Sequence, residues 1–208
     1  TEISLPDARS PYEVRLGAEK LVYRSDPAAD DLSRPFAFRT DHESTAEGAF
    51  LAADRLHKER RYGEALEKYL ACAARDRSHI RALTRAAEIY CRRGQDGEAD
   101  GLARKALEIA MYDPDANYIF GVVSRRLGRL ADARDALGWA ARSLEHRSNA
   151  YALMAEIALL EGDAGQAIEY AGRAIDADGS NLNALDLLAT TLRLVDDPGR
   201  ASGVLDRI

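Results

Sequence analysis

His42, His57, His79 and His146 are the side chains best suited to move a proton or bind a metal near neutral pH. None sits in an HExxH pair, none has a second ligand at helical spacing, and none has the neighbours of a nucleophile and base triad. They read as solvated or capping groups. Cys72 and Cys91 fit no CxxC or Cys/His ligand spacing, so neither a zinc site nor a disulfide framework is indicated, and a reducing compartment follows. No GxxxxGK[ST] run is present and no GxGxxG follows a strand, which leaves nucleotide binding unsupported. Carboxylates are plentiful, yet Glu64, Glu98 and Asp132 recur at one fixed interval. That is the mark of a structural register rather than of an acid and base pair. The expectation is a chain that is not an enzyme and needs no metal or cofactor.

Something must nevertheless position these residues, and composition narrows what that is. The 208 residues are 46% hydrophobic and 31% charged with six prolines, a globular and helix-tolerant mixture. A formal charge of −6 argues against general nucleic-acid binding, which needs a basic footprint to displace phosphate counterions. No apolar run reaches the roughly 18–20 residues that span a bilayer, and no basic-plus-apolar leader opens the chain. The reading is therefore no membrane association and a cytoplasmic location. The chain opens with Thr1 rather than Met, so it is expected to come from a longer protein, in which a signal upstream would override that location.

Four of the six prolines (Pro6, Pro11, Pro27 and Pro35) precede residue 36, and the composition changes near residue 44. Residues 1–43 therefore form a separate N-terminal segment. Within it Tyr12, Val14 and Leu16 alternate with charged neighbours, Gly17 to Lys20 can turn, and Leu21 to Arg24 can return, a weak hairpin signal. Residues 25–43, rich in Asp, Ser and Pro, read as a linker or strap. A two-stranded hairpin is marginal alone, so it is expected to belong to an upstream domain or to dock on the segment after residue 43.

From Ser44 the chain repeats every 34 residues without a gap. One column is all alanine: Ala65, Ala99, Ala133, Ala167 and Ala201. A second is all small: Ala53, Ala87, Gly121, Ala155 and Ala189. A third runs Cys72, Ala106, Ala140 and Ala174 and falls on Ile208. With 38 alanines in the chain a single match is uninformative, but whole columns at one interval are not a product of composition. Each copy splits into two amphipathic stretches around a turn marked by Gly94, Gly128 and Gly162, which predicts helical hairpins. Ser44 with Glu47 predicts a capping box at the first helix, and Asp113 before Pro114 an N-cap with a pre-set first turn. The units are 46–79, 80–113, 114–147, 148–181 and 182–208.

These columns resemble the tetratricopeptide repeat, whose length is 34 residues and whose small residues sit where paired helices cross. The chain departs from that pattern where the early aromatic position holds Ala49, Leu83, Asn117 and Leu185, with Tyr151 alone keeping it, and where the closing proline is missing. The resemblance implies an all-α fold, a right-handed superhelical array of helical hairpins, behind a short irregular or hairpin-like N-terminal segment. The hairpin followed by repeats is also similar to the repeat-bearing tail of large bacterial multidomain proteins with a β-rich, carbohydrate-active front end.

In such arrays the first helix of each pair lines a concave groove. The resemblance thus implies that Phe50, Asp54, His57 and Lys58 face it from the first repeat, Arg81, Arg85, Glu88 and Arg92 from the second, and Tyr118, Val122, Arg125 and Arg126 from the third. Cys91 is placed on the groove-lining helix and Cys72 in the packing. The middle of this groove reads as basic, which suggests an acidic or C-terminal peptide held by Arg, with Tyr118 as apolar anchor. The family's chaperone-tail clamp is disfavoured, because its positions hold Phe50, Asp54, Arg85, Asp115 and Ile119. The leading function is a scaffold binding a peptide or partner domain. The alternative is a bracing or oligomerising appendage of a larger enzyme, with the upstream domain as partner. The fifth repeat ends without a polar capping helix, so either more chain follows or the edge forms a homo-oligomer, leaving Leu187, Leu188, Leu192, Leu194, Val204 and Leu205 partly exposed.

Overall fold

The computed structural model describes residues 12–16, 21–26 and 44–207. The predicted turn at Gly17–Lys20, residues 27–43 of the 25–43 linker or strap (His42 among them), and Ile208 lie outside the described residues. The chain divides into two compact units, Thr1–Thr40 and Asp41–Ile208. In the first, β1 (Glu13–Leu16) pairs antiparallel with β2 (Leu21–Arg24), Glu13 opposite Arg24 and Leu16 opposite Leu21. The open end is closed by two bonds: the Tyr12 amide donates to Ser25 Oγ at 2.8 Å and the Ser25 amide to the Tyr12 carbonyl at 3.0 Å.

The second unit is a run of helical pairs. These are α1 (Ala46–Lys58) with α2 (Tyr62–Arg75), α3 (Ile80–Arg92) with α4 (Asp96–Ile109), α5 (Pro114–Arg126) with α6 (Leu130–Ala140), α7 (Arg147–Leu160) with α8 (Ala164–Ala177), and α9 (Leu182–Leu194) with α10 (Pro198–Leu205). Each odd helix packs on its even partner, and α3 meets α5, α5 meets α7 and α7 meets α9. Contacts of that extent between even helices are absent among the described residues, so the odd helices line the inner face. The core follows suit as overlapping clusters, each spanning neighbouring hairpins, such as Ala87, Ala99, Ala103, Ile119 and Val123 between the second and third repeats. This is the tetratricopeptide-type helical-hairpin solenoid that the columns predict.

The columns explain why. The all-alanine and all-small positions are buried where paired helices cross, as are Cys72, Ala106, Ala140 and Ala174. At Gly121 a Cβ would stand 2.7 Å from Leu137 Cγ, so glycine there makes room for a leucine in the facing helix. Between the helices of each pair the chain takes one left-handed residue, with φ of 61° at Arg60, 74° at Gly94, 76° at Gly128, 81° at Gly162 and 60° at Asp196. The next amide in each case bonds back across the turn, as from Arg61 to the Leu56 carbonyl (2.9 Å) and from Gln95 to that of Tyr90 (3.0 Å). This is the Schellman closure, and it satisfies carbonyls that the helix end leaves open.

The starts of the odd helices form a column too. Thr45 Oγ1 accepts from the Gly48 amide, His79 Nδ1 from Ala82, Asp113 Oδ1 from Ala116 and Asn181 Oδ1 from Ala184. The first of these corrects the capping-box expectation: the cap is Thr45, not Ser44, because the 34-residue register fixes the helix start at Ala46. Glu47 then has no cap amide to serve and reaches His79 Nε2 at 3.3 Å. At the departure from the family pattern in repeat three, buried Asn117 donates from Nδ2 to the carbonyls of Met111 and Asp113, both at 2.8 Å, and so holds the α4–α5 turn.

Repeat four breaks the cap column. Arg147 occupies the capping position, is itself helical, and donates instead to the carbonyls of Ala141 (3.1 Å) and Arg142 (3.3 Å) behind it. Correspondingly α6 stops at Ala140, although Arg75, Ile109 and Ala177 close the other long second helices in a column whose member here is Ser143. The α6–α7 connection is therefore longer than its counterparts. At the far edge Leu187, Leu188 and Val204 are half-buried and Leu194 and Leu205 exposed, but Leu192 is buried, since α10 covers it.

Candidate functional site

The inner face opens into a pocket of about 350 Å³ between α3, α5 and the start of α7. Thr84, Arg85, Glu88 and Arg92 reach it from one side of α3, where spacings of three and four residues align them on one stripe. From α5 come Asp115, Tyr118 and Ile119, from the irregular α6–α7 connection Glu145 and His146, and from α7 Asn149.

Glu88 organises the α3 side. Arg85 Nη1 donates to its Oε2 at 2.9 Å and Arg92 Nη2 to its Oε1 at 2.8 Å. Burial alone would raise the Glu88 carboxyl, but the two guanidinium bonds outweigh it and hold the group below the usual glutamate range. Across the pocket the His146 ring lies flat on Tyr118, centroids 4.6 Å apart and planes 9° from parallel, and its Nε2 donates to Asp115 Oδ1 at 2.6 Å. That bond keeps Asp115 ionised below the ordinary aspartate range. Burial pushes the Tyr118 phenol up, so it is a neutral hydroxyl at physiological pH.

Of the residues expected in the groove, Arg85, Arg92, Glu88 and Tyr118 line the pocket, and Arg81 is exposed on the same stripe of α3. Phe50 does not: it is 1% exposed, packed on Tyr69 and His79, and roofed by the Arg81 guanidinium 4.4 Å from its ring. His57 turns toward its own hairpin, edge-on to Tyr62 at 5.2 Å and with Nδ1 3.5 Å from the Tyr69 hydroxyl. Lys58 is exposed and paired with Asp54 at 2.8 Å. Arg125 Nη1 bridges from α5 to Glu156 of α7 at 2.7 Å. Arg126 leaves the groove, donating from Nη1 to the Cys91 carbonyl at 2.7 Å while its Nε lies 3.3 Å from Asp96. Val122 is half-buried against the second and third repeats, and Cys91 is buried in that cluster.

These pairings correct the expectation of a basic groove. Arg85 and Arg92 share Glu88, Arg125 is matched by Glu156 and Arg126 by Asp96, while Asp115 and Glu145 add acidic charge to the pocket wall. The lining is of mixed sign. Sequence reasoning missed Asp115, Glu145, His146 and Asn149 as one constellation, because they come from two helices and a connection about 30 residues apart. The one signal for it was the arginine at position 147 in a column of capping residues.

A separate aromatic patch lies on α6 and the α4–α5 connection. Tyr112 and Trp139 have ring centroids 4.5 Å apart, and the Arg142 guanidinium sits 4.4 Å over the Trp139 ring. No helix among the described residues is long and apolar enough to cross a membrane.

No family model matches the sequence, and no curated protein matches it by sequence comparison. Solved structures do share its fold. The MamA protein superposes with a TM-score of 0.68 at 17% identity, covering 79% of this chain and 90% of that one. YrrB, described as a TPR protein with an unusual peptide-binding site, gives 0.65 at 22% identity over 80% and 86% of the two chains. The pilF protein of Pseudomonas aeruginosa gives 0.71 at 16% identity over 79% of this chain and 75% of that one. At such identities the likeness is one of fold, and it agrees with the packing: the helical part of this chain is a tetratricopeptide-type solenoid.

Proposed function

We propose that this protein is a non-catalytic interaction scaffold that holds an extended peptide or a partner's segment against α3, α5 and α7. The observation that carries this reading is the pocket itself, an open hollow on the inner face in which Tyr118 offers an apolar ring between opposed charges. Arg92, at the end of α3, is 62% exposed in its side chain, so an acidic group of the ligand is placed there, and Arg81, exposed at the start of the same helix, offers a second such place. Glu145, across the pocket, suits a basic or hydroxyl group. The ligand is thus a peptide carrying both signs rather than a uniformly acidic one, held by charge-assisted bonds and one aromatic contact. The peptide-binding site named for YrrB, on the same fold, supports the assignment. Against catalysis stands the chemistry of the cysteines: burial pushes both the Cys72 and Cys91 thiols up, the reverse of an activated nucleophile.

The bracing or oligomerising alternative rests on a different surface. Leu194 is 70% exposed with Val195 exposed next to it in the chain, and Leu182 and Leu205 are exposed elsewhere on the α9–α10 pair. One experiment separates the two. Peptides are selected from a random display library on the purified chain and their affinities measured by fluorescence anisotropy. Tyr118→Ala and Arg92→Glu are each expected to weaken binding at least about tenfold, roughly 1.4 kcal/mol, while Leu194→Glu leaves it unchanged. Binding lost in Leu194→Glu and intact in both groove variants would transfer the function to the edge.

A further inference from the structure

Asp115 stands in the first turn of α5, and Glu145 and His146 end the irregular connection before α7. One carboxylate oxygen from each acid and a ring nitrogen of the histidine all lie within 4.8 Å of one another. From this geometry we infer that Asp115, Glu145 and His146 form a binding site for a divalent first-row transition metal, with zinc as its reference ion.

Three features of the site argue for it. The first is donor chemistry: one imidazole nitrogen with two carboxylate oxygens suits zinc, manganese or iron, whereas magnesium and calcium prefer oxygen alone. The second is reach. Such ions hold nitrogen and oxygen ligands at roughly 2.0–2.2 Å, so their donors stand about 3–3.5 Å apart. Glu145 is exposed and, among the described residues, its carboxylate takes no hydrogen bond or ion pair, so it closes the remaining gap by a side-chain rotation. The Asp115 to His146 separation of 2.6 Å widens as the ion takes the place of the shared proton. The proton is accounted for: the hydrogen that Nε2 donates to Asp115 leaves that nitrogen as the ion binds, to be carried by Nδ1 of the same ring or released to solvent, and Nε2 presents its lone pair to the ion. The third is orientation, because stacking on Tyr118 holds the ring plane, as outer contacts do in built metal sites. Arg81 and Arg85 lie close enough to act on Asp115. Their positive charge opposes the ion and limits its affinity, although Arg85 is already bonded to Glu88. The three ligands leave coordination positions open toward the pocket.

The site shares a wall with the proposed peptide pocket but does not depend on it, and a titration with metal alone tests it. Zinc chloride is titrated calorimetrically into the tag-free chain, with cobalt absorption as a second readout of nitrogen and oxygen ligation. One ion per chain is expected, with affinity at least tenfold lower in His146→Ala and in Glu145→Gln, and unchanged in His57→Gln. The Glu145 variant alters an exposed side chain, so its circular dichroism stays that of the parent even if loss of the stacked His146 ring disturbs the fold. Absence of saturable one-to-one binding, or binding by His146→Ala and Glu145→Gln as tight as the parent's, overturns the proposal. Either result leaves the peptide reading untouched, since that reading is judged by peptide affinity without metal.

Discussion

Burial between Tyr62 and Tyr69 pushes the His57 imidazole below its ordinary value, with the Arg85 and Arg92 charges adding to the shift and those of Glu88 and Asp54 opposing it. The sign of the consequence comes from linkage. The folded chain resists protonation that the unfolded chain accepts near pH 6.5, so this contribution to stability is complete above that value and is lost as pH falls through it toward the lower folded pKa. Thermal melts between about pH 7.5 and pH 5 should show the melting temperature of His57→Gln declining less steeply than that of the parent. Parallel profiles would show that the ring carries no such linkage. His57 also illustrates what single residues conceal in a sequence. Helical spacing assigns it, Phe50 and Arg126 to the groove-facing helices, and it cannot foresee that Phe50 finds the α2 crossing, that His57 finds two tyrosines, or that Arg126 finds the Cys91 carbonyl. Those outcomes depend on which neighbour across the hairpin offers a ring or an unsatisfied oxygen. Arg85, Arg92 and Tyr118 were legible because their partners, too, lie on the inner face.

At the scale of the element, legibility was far greater, because the period acts on backbone geometry. Five left-handed residues, three of them glycine, punctuate the hairpins at one interval, and four side-chain caps open odd helices at the same interval. The capping box was misplaced by one residue only because Ser44 and Thr45 are chemically alike and one repeat alone does not reveal the column. The small-residue column makes a sharper claim. Gly121 faces Leu137, and at the positions that correspond by the repeat the second and fourth copies hold Ala87 with Ala103 and Ala155 with Ala171. Gly121→Ala should therefore cost roughly 1–3 kcal/mol by overpacking, and Leu137→Ala about 2–5 kcal/mol by leaving a void. Together they recreate the alanine pair of the neighbouring repeats, so denaturant unfolding of the double variant should show a loss smaller than the sum of the two. Strict additivity would mean that the two positions do not share the crossing. The shortened α6 was not legible, since its sequence continues the helical pattern and the interruption comes from Arg147 bonding backward onto Ala141 and Arg142.

For the whole molecule, period and small columns together were enough to specify a solenoid with an inner face, and solved structures at 16–22% identity share it. The sign of that face was not available from the chain. Counting arginines along α3 and α5 suggests a basic groove, but each carboxylate that neutralises it arrives from a neighbouring turn or repeat: Glu88 between two arginines, Glu156 from α7, Asp96 from the start of α4. The break at the α6–α7 connection then supplies the pocket's distinctive wall of Asp115, Glu145 and His146. The same array carries two other surfaces with exposed apolar groups, the Tyr112 and Trp139 patch and the α9–α10 edge. Under the proposed function the inner pocket, and neither of these, takes the ligand. The most direct measurement is an NMR titration of the isotope-labelled chain with a selected peptide, followed at backbone amides. Shift changes are expected to concentrate at Arg85, Glu88, Tyr118 and Asn149, with Trp139 and Leu194 unmoved. Changes centred on Tyr112 and Trp139, or on Leu194 and Leu205, with a silent pocket, would contradict it.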